Sequence, residues 1–296
     1  MSNVFDDLCE LNLTSPGSYD LFCKGTRDNS SLNVYKDKVS GIIFIKDFYV
    51  GEKEYISGKY RGENNIDIFN ENKEIKKDYG RFADCLRRCN DFQTFYVKKD
   101  ILDFGCGHGD FLLNTKHLTK SSIGVELQND LSSYICSKGV ECANNIKNIK
   151  DESLDTIFLF HVFEHISSPR KLLKDLYKKL KIGGKIVLEV PNANDFLISF
   201  LKEESFIKFT LWSQHLILHN VYSLETFLKD AEFSKILIKG VQRYPLSNHL
   251  NWIKNNKPGG HETILALIDS DNLKREYANT LSAINATDTI VATAIK

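Results

Sequence analysis

Between Asp103 and Gly109 the chain reads Asp-Phe-Gly-Cys-Gly-His-Gly, directly after the apolar run Ile101 to Phe104 (ILDF) and directly before a helical pattern. Three glycines at alternate positions between a strand and a helix constrain the fold strongly. They let the backbone turn tightly and let a ligand approach the helix N-terminus with no Cβ in the way. The spacing G-x-G-x-G, with an acid two residues before the first glycine, differs from the dinucleotide fingerprint G-x-G-x-x-G, which would need glycine where Asp110 stands. NAD is therefore disfavoured. No G-x-x-x-x-G-K-[ST] is present, so a P-loop is excluded.

From about Asp100 onward, short apolar runs alternate with helical patterns, as in a parallel sheet with crossover helices. ILDF is the first strand, Ser122 to Leu127 the second, Val140 to Ala143 the third and Asp155 to His161 the fourth. A helix over Asn129 to Lys138 lies between the second and third, stopped by Gly139. After strand four, Ser168 can cap a helix with Pro169 in its first turn; Leu172, Leu173, Leu176, Tyr177 and Leu180 recur at helical spacing, and Gly183 and Gly184 end it. Its lysines read as a solvated face. Lys185 to Val190 is the fifth strand, Ser223 to Asp230 a helix, Lys235 to Val241 the sixth strand and Asp288 to Ala294 the seventh. An insertion at about 242–287 separates the last two strands, with a helix near Leu273 to Ile284. Arg81 to Tyr96 reads as one helix leading into strand one. The organisation expected is an N-terminal appendage over 1–80, containing a small β element, followed by a main domain over 81–296.

Thirty-nine basic residues balance 39 acidic ones, so no global field attracts nucleic acid or an anionic membrane. The longest strongly apolar stretch, Ile157 to Phe163, is interrupted by His161 and too short to span a bilayer, and Met1 to Leu11 lacks a signal-like apolar core. Seven scattered cysteines without a C-x-x-C pair fit a reduced, cytoplasmic setting.

Glu126, at the end of the second strand, is the right residue in the right place to accept hydrogen bonds from two ribose hydroxyls. With that acid, ILDFGCGHGDFL, IGVEL, DESLDTIFLFHVFEHISSP and LKIGGKIVLEVPN resemble successive motifs of class I S-adenosylmethionine-dependent methyltransferases, covering about Asp100 to Asn192. The FEH after strand four and GG-K-x-V-x-x-V-P-N are similar to the branch holding ubiquinone-type O-methyltransferases and sugar methyltransferases. The resemblance implies a Rossmann-like α/β fold with a seven-stranded, mostly parallel sheet in the order 3-2-1-4-5-7-6 and helices on both faces. It implies S-adenosylmethionine as cofactor and S-adenosylhomocysteine as product. Asp103, Gly105 and Gly107 would hold the methionine part, Glu126 the ribose, and Asn145, where many relatives have Asp, the adenine amino group. Cys106, Leu127, Ile146 and His161 complete the expected cofactor contacts. The N-terminal region resembles the small zinc ribbon that precedes some sugar methyltransferases, with Cys23 to Thr26 and Asp37 to Gly41 at the two knuckles. One sulfur of four remains, so no metal is expected there.

Methyl transfer from a sulfonium is an in-line displacement, so the protein must hold the acceptor atom close and often remove its proton. Candidates lie at the carboxyl ends of the strands. His161, Glu164 and His165 follow strand four at that edge: His165 can act as base near neutral pH, with Glu164 orienting it or binding an acceptor hydroxyl. Alternatively, His165 packs against or caps the next helix. A third reading takes His161, Glu164 and His165 as metal ligands with His215 or His219, by resemblance to the E-x-x-E-H cluster of some RNA-end methyltransferases. In the insertion, Arg243 can bind a phosphate or carboxylate, and Tyr244, His249 and Trp252 can face a sugar; the alternative is a structural flap or a homodimer contact. Tyr55, Tyr60 and Arg61 are candidates for a lid, and His215 and His219 for further acceptor contacts. The expected activity is methyl transfer to a small polar acceptor, a sugar or nucleotide-linked sugar of surface glycan or natural-product assembly. The rivals are a quinone-type or other small-molecule O-methyltransferase, and an RNA-end methyltransferase or non-catalytic cofactor-binding subunit.

Overall fold

The computed structural model describes residues 4–58 and 79–296. Along the chain the elements are α1 (Val4–Glu10), β1 (Tyr19–Lys24), β2 (Asn33–Asp37), β3 (Ile43–Ile45), α2 (Glu52–Ser57), α3 (Tyr79–Asp91) and α4 (Gln93–Tyr96). There follow β4 (Asp100–Phe104), α5 (Asp110–Thr115), β5 (Ser121–Val125), α6 (Asn129–Ser137), β6 (Glu141–Ala143), β7 (Leu154–Phe160), α7 (Pro169–Lys179) and β8 (Leu180–Pro191). The remainder is α8 (Phe196–Ser199), α9 (Glu204–Thr210), β9 (Ile217–Leu218), α10 (Val221–Asp230), β10 (Ser234–Val241), α11 (Leu246–Asn255), α12 (Asp271–Ala283) and β11 (Thr289–Ile295). No described helix is long and apolar enough to cross a membrane.

Seven strands form one sheet in the order β10-β11-β8-β7-β4-β5-β6. Read from the other edge, with these seven strands numbered in chain order, this is the expected 3-2-1-4-5-7-6. The chain divides into two compact units, residues 50–162, 174–188 and 294–296 in one and 1–49, 163–173 and 189–293 in the other.

In the first unit, β4 pairs in parallel with both β5 and β7, and β5 with β6. Its packing is aromatic. Phe92, Phe111, Phe158 and Phe160 meet with ring centroids 4.9 to 5.9 Å apart, fixing the start of α5 and the end of α3 on β7. The expected continuous helix over Arg81 to Tyr96 breaks at the buried Phe92, whose backbone leaves the helical region at φ −109° and ψ 18°.

In the second unit, a four-stranded sheet has the order β1-β2-β3-β9, antiparallel throughout. The N-terminal β element therefore extends past the expected boundary, since its last strand comes from Ile217–Leu218. Val34, Ile43, Ile45, Ala193, Ile198, Leu211 and Leu218 form its core. Asp37 closes the second knuckle-like turn. Asp37 Oδ1 accepts the N–H groups of Val39 at 2.9 Å and Ser40 at 2.8 Å, while Oδ2 accepts the hydroxyls of Thr14 and Ser18. Burial alone would raise the Asp37 carboxyl, but these four hydrogen bonds outweigh it and hold the group below its ordinary value.

Two expected boundaries move. The helix after strand four ends at Lys179, and Leu180 to Gly184 already belong to β8. The first half of the insertion is the helix α11, with Ser247, Asn248, His249, Asn251 and Trp252 all buried.

Candidate functional site

The glycine loop lies in the first unit, between β4 and α5. The N–H groups of Gly105 and Cys106 both donate to the carbonyl of Val125, at 2.8 and 3.1 Å, tying the loop to the end of β5. Gly105 has φ +71°, and a Cβ there would fall 2.5 Å from Cγ2 of Val162. This position is glycine for packing as well as conformation. Gly107 also has positive φ, +55°, yet nothing lies within 4 Å of where its Cβ would stand. That open space is what a ligand resting on the loop backbone requires.

Glu126, the residue after β5, is buried and spans this loop: Oε2 accepts the Gly107 N–H at 2.9 Å and Oε1 the Gln128 N–H at 2.8 Å. Asp103 is 3% exposed. Burial pushes its carboxyl up to about 8, the Arg88 guanidinium opposing the shift. Cys106 and Cys142 face each other with sulfurs 4.0 Å apart. Leu127 and Ile146 are half-buried and Asn145 is exposed, its side chain accepting the Lys147 N–H at 2.8 Å. His161, the residue after β7, adopts φ +55°. A left-handed backbone is uncommon for a residue with a side chain and concentrates at functional sites. Tyr55 sits half-buried on α2, and Tyr60 and Arg61 lie outside the described residues. An open glycine, a clamped carboxylate and a second, buried acid fit the amino acid and ribose parts of S-adenosylmethionine.

The second unit holds a different cluster. Glu164, His165 and His215 each present a ligand-type atom, and these atoms all lie within 4.8 Å of one another. Glu164 is 1% exposed, whereas both histidines are half-buried. His165 Nδ1 contacts the Gln214 carbonyl at 2.8 Å and His215 Nδ1 the Thr210 carbonyl at 2.9 Å. A carbonyl only accepts, so both Nδ1 atoms carry the proton. The Glu164 carbonyl accepts the Leu216 N–H at 2.9 Å, which locks the FEH segment to the stretch entering β9. His215 is held down to about 3, by burial first and then by His165, so its ring is neutral.

Other expected acceptor residues occupy other environments. His219 is fully buried, its ring 5.0 Å from Phe163 and its Nδ1 3.1 Å from the Ser223 hydroxyl. It packs as a core histidine. His249 is 3% exposed, hydrogen-bonded to the Tyr277 hydroxyl at 2.6 Å and stacked on Phe196, and it and the buried Trp252 anchor α11. Arg243 and Tyr244 lie nearer the surface: both N–H groups donate to Asp288 Oδ2, at 2.9 and 3.0 Å, and the guanidinium covers the Tyr244 ring. A cavity of about 360 Å³ in this unit is lined by Val4, Ile45, Asp47, Phe48, Tyr49 and Ser167.

Sequence reasoning missed Arg88 and Trp212. Arg88 influences Asp103 from a helix before the glycine loop, with no motif to mark it. Trp212 packs edge-on to both His165 and His215, at 5.9 and 5.7 Å, and carries the Arg27 guanidinium on its face at 4.6 Å. Its only signal was its place three residues before His215.

Residues 76–237 match the family described as the methyltransferase domain. Phosphoethanolamine N-methyltransferase 1 of Zea mays is 26% identical over 148 residues, 46% of this chain and 28% of the relative, and its Arabidopsis thaliana counterpart 27% identical over 155. The chain thus spans under a third of the length of the curated relatives it matches. Among solved structures, a SAM-dependent methyltransferase from Archaeoglobus fulgidus aligns with a TM-score of 0.52 at 22% identity, covering 73% of this chain and 94% of that one. Phosphoethanolamine N-methyltransferase 2 of Haemonchus contortus, solved with phosphomonomethylethanolamine and S-adenosylhomocysteine, aligns with a TM-score of 0.52 at 18% identity, covering 86% of this chain and 62% of that one. With more than half of its length matched and the sheet order in agreement, the chain belongs to the methyltransferase-domain family and has the Rossmann-like fold of class I S-adenosylmethionine-dependent methyltransferases.

Proposed function

We propose that this chain transfers a methyl group from S-adenosylmethionine to a small polar acceptor. The observation that carries the reading is the Gly107 to Glu126 clamp beneath an open loop surface, in a family whose activity is methyl transfer. Asp103, Gly105, Cys106 and Gly107 would hold the methionine part, Glu126 and Leu127 the ribose, Asn145 and Ile146 the adenine, with His161 alongside. When bound, the cofactor supplies an electrophilic methyl on a sulfonium. The protein's share is to fix the acceptor in line and take up its proton. His165 is the base in this reading: its Nδ1–H is committed to the Gln214 carbonyl, and Nε2, 3.8 Å from Glu164 Oε1, is the atom that would take up the proton.

In this reading the acceptor is small and occupies the cavity beside Asp47, Phe48 and Tyr49. The cavity of about 360 Å³ lies at the low end of ligand-pocket volumes. A sugar or nucleotide-linked sugar, with Arg243 and Tyr244 as contacts, is the reading carried over from the motifs. A cationic amine is the second reading, favoured by the Asp47 carboxylate beside Phe48 and Tyr49 in the cavity lining and by the phosphoethanolamine-methylating relatives. The segment 1–80 is taken to serve the acceptor side.

The test is production of S-adenosylhomocysteine from S-adenosylmethionine against a panel of nucleotide sugars, phosphoethanolamine and short-chain quinols. The expected result is turnover above background with one class only, abolished by Asp103→Ala. Failure to bind the cofactor at all would contradict the proposal.

A further inference from the structure

We infer that Cys106 and Cys142 are an oxidative modification site, a thiol pair that peroxide converts reversibly to a disulfide, and that the bridge shuts the glycine loop to its ligand; the second half rests on the loop's being the cofactor site proposed above. The two side chains come from different elements, Cys106 from the loop after β4 and Cys142 from β6, and their sulfurs stand 4.0 Å apart. β5 lies between β4 and β6, and the sulfurs meet over it because residue 124 is glycine. Gly124 pairs with Asp103 on one side and with Cys142 on the other. A Cβ there would fall 2.7 Å from Cys106 Sγ and 3.2 Å from Cys142 Sγ, so any larger residue would hold the thiols apart. Both cysteines are half-buried, as reactive cysteines are when a small oxidant reaches them in the folded chain.

Cys142 is the thiol that reacts first. The Cys106 thiol donates to its sulfur, which holds Cys142 below its ordinary value against the opposing effect of burial. Its thiolate attacks one peroxide oxygen, the O–O bond breaks, hydroxide leaves and a sulfenic acid forms. The Cys106 sulfur then attacks the Cys142 sulfur: the S–S bond forms, the S–O bond breaks and a second hydroxide leaves. The two hydroxides take up the two thiol protons as water, so two thiols are oxidised and one peroxide is reduced. Disulfides of this kind in a reducing compartment are transient and serve as redox sensors.

The bond has a mechanical consequence. A disulfide holds its sulfurs about 2.05 Å apart, so the pair must close by about 2 Å, and a cysteine has a single rotatable bond with which to do it. Cys142 is fixed within a strand, whereas Cys106 stands between two glycines of the loop, so the loop moves. The next residue is Gly107, whose N–H donates to Glu126 Oε2 at 2.9 Å. Pulling Cys106 toward β6 breaks that hydrogen bond and displaces the backbone on which the ligand rests. Cys85 and Cys89 supply an internal control. Their sulfurs are also 4.0 Å apart, but they lie one turn apart on α3, where Cβ atoms are about 5 to 6 Å apart and a disulfide needs about 3.5 to 4.5 Å.

The test treats full-length protein with hydrogen peroxide, alkylates the remaining thiols and maps the peptides by mass spectrometry. The expected result joins the Cys106 and Cys142 peptides, two hydrogens lighter than their sum, and leaves Cys85 and Cys89 alkylated. By NMR, hydrogen exchange at the Gly107 amide should quicken at least about tenfold in the oxidised protein, the loss of one charge-assisted hydrogen bond. Affinity for S-adenosylmethionine should fall at least about tenfold for the same reason, and dithiothreitol should restore both. Cys142→Ser should bind S-adenosylmethionine as the wild type does and keep that affinity through peroxide treatment. Cys106 and Cys142 both alkylated after peroxide, a bridge with unchanged Gly107 exchange, or a Cys142→Ser protein that loses affinity alongside the wild type would each overturn the inference. Mapping and exchange use the wild-type chain without cofactor, so they decide the bridge even where the reduced protein fails to bind S-adenosylmethionine, an outcome that counts against the proposed function instead.

Discussion

Glu126 Oε2 accepts the Gly107 N–H at 2.9 Å, so the acid that ends the second sheet strand also holds the loop that follows the first. The carboxylate thereby sets the loop's conformation before any ligand arrives. Glu126→Ala removes this hydrogen bond and the one from Gln128, each charge-assisted and worth about 1.5 to 3 kcal/mol. We expect cofactor affinity to fall at least tenfold, with Glu126→Gln intermediate because it retains one carbonyl acceptor. Equilibrium dialysis with labelled cofactor measures both, and equal affinity in all three proteins would contradict the role.

The two loop glycines should fail differently. Gly105→Ala puts a Cβ against Val162 in a left-handed backbone, a destabilisation of about 2 to 4 kcal/mol from overpacking and strain together. Gly107→Ala meets no protein atom, so it should cost about 1 kcal/mol of stability while blocking the ligand surface. Urea unfolding paired with cofactor binding distinguishes them; a Gly107→Ala protein with normal affinity would argue against a ligand on this loop.

Asp103 gives a pH signature. Its ordinary value is about 4, and in the folded chain burial raises it to about 8. Between those values the unfolded state binds fewer protons than the folded one, so this group's contribution to stability declines as pH rises from about 4 to about 8 and is flat above. Asp103→Asn removes the decline. Its melting temperature relative to wild type should therefore rise with pH, by at least about 2 °C between pH 5 and pH 8. A cationic ligand group near Asp103 favours the ionised carboxylate, so cofactor binding at pH 7 should release a proton, detectable by calorimetry in buffers of different ionisation enthalpy.

His249 belongs to the framework. His249→Ala leaves the Tyr277 hydroxyl without its 2.6 Å partner and opens space beside Phe196, costing about 2 kcal/mol. Thermal unfolding should show that loss while the KM for the acceptor stays within twofold. A large KM change in a protein of unchanged stability would return His249 to the acceptor site.

The sheet was legible because its signals are local. Alternation, the glycine loop and the strand-end acid Glu126 each occupy a few consecutive residues, and the strand order follows once the family resemblance is admitted. The insertion stayed open between a ligand contact and a structural flap because hydrogen-bonding residues look alike in sequence whether they face a ligand or a core. Asn248, His249 and Asn251 are buried against partners at 258–277 that periodicity does not announce. His215 was legible only as one histidine among several. That it meets Glu164 and His165, while His219 four residues later is sealed in the core, depends on the two-residue strand β9 and its pairing with β3.

The most direct test of the account is calorimetric titration of S-adenosylmethionine and S-adenosylhomocysteine into the wild-type chain and Asp103→Ala, with NAD as control. The account predicts micromolar-range binding of both to wild type, its loss in the variant, and no heat from NAD. Well-folded wild-type protein that binds neither ligand would contradict the central claim and leave the glycine loop as a structural turn.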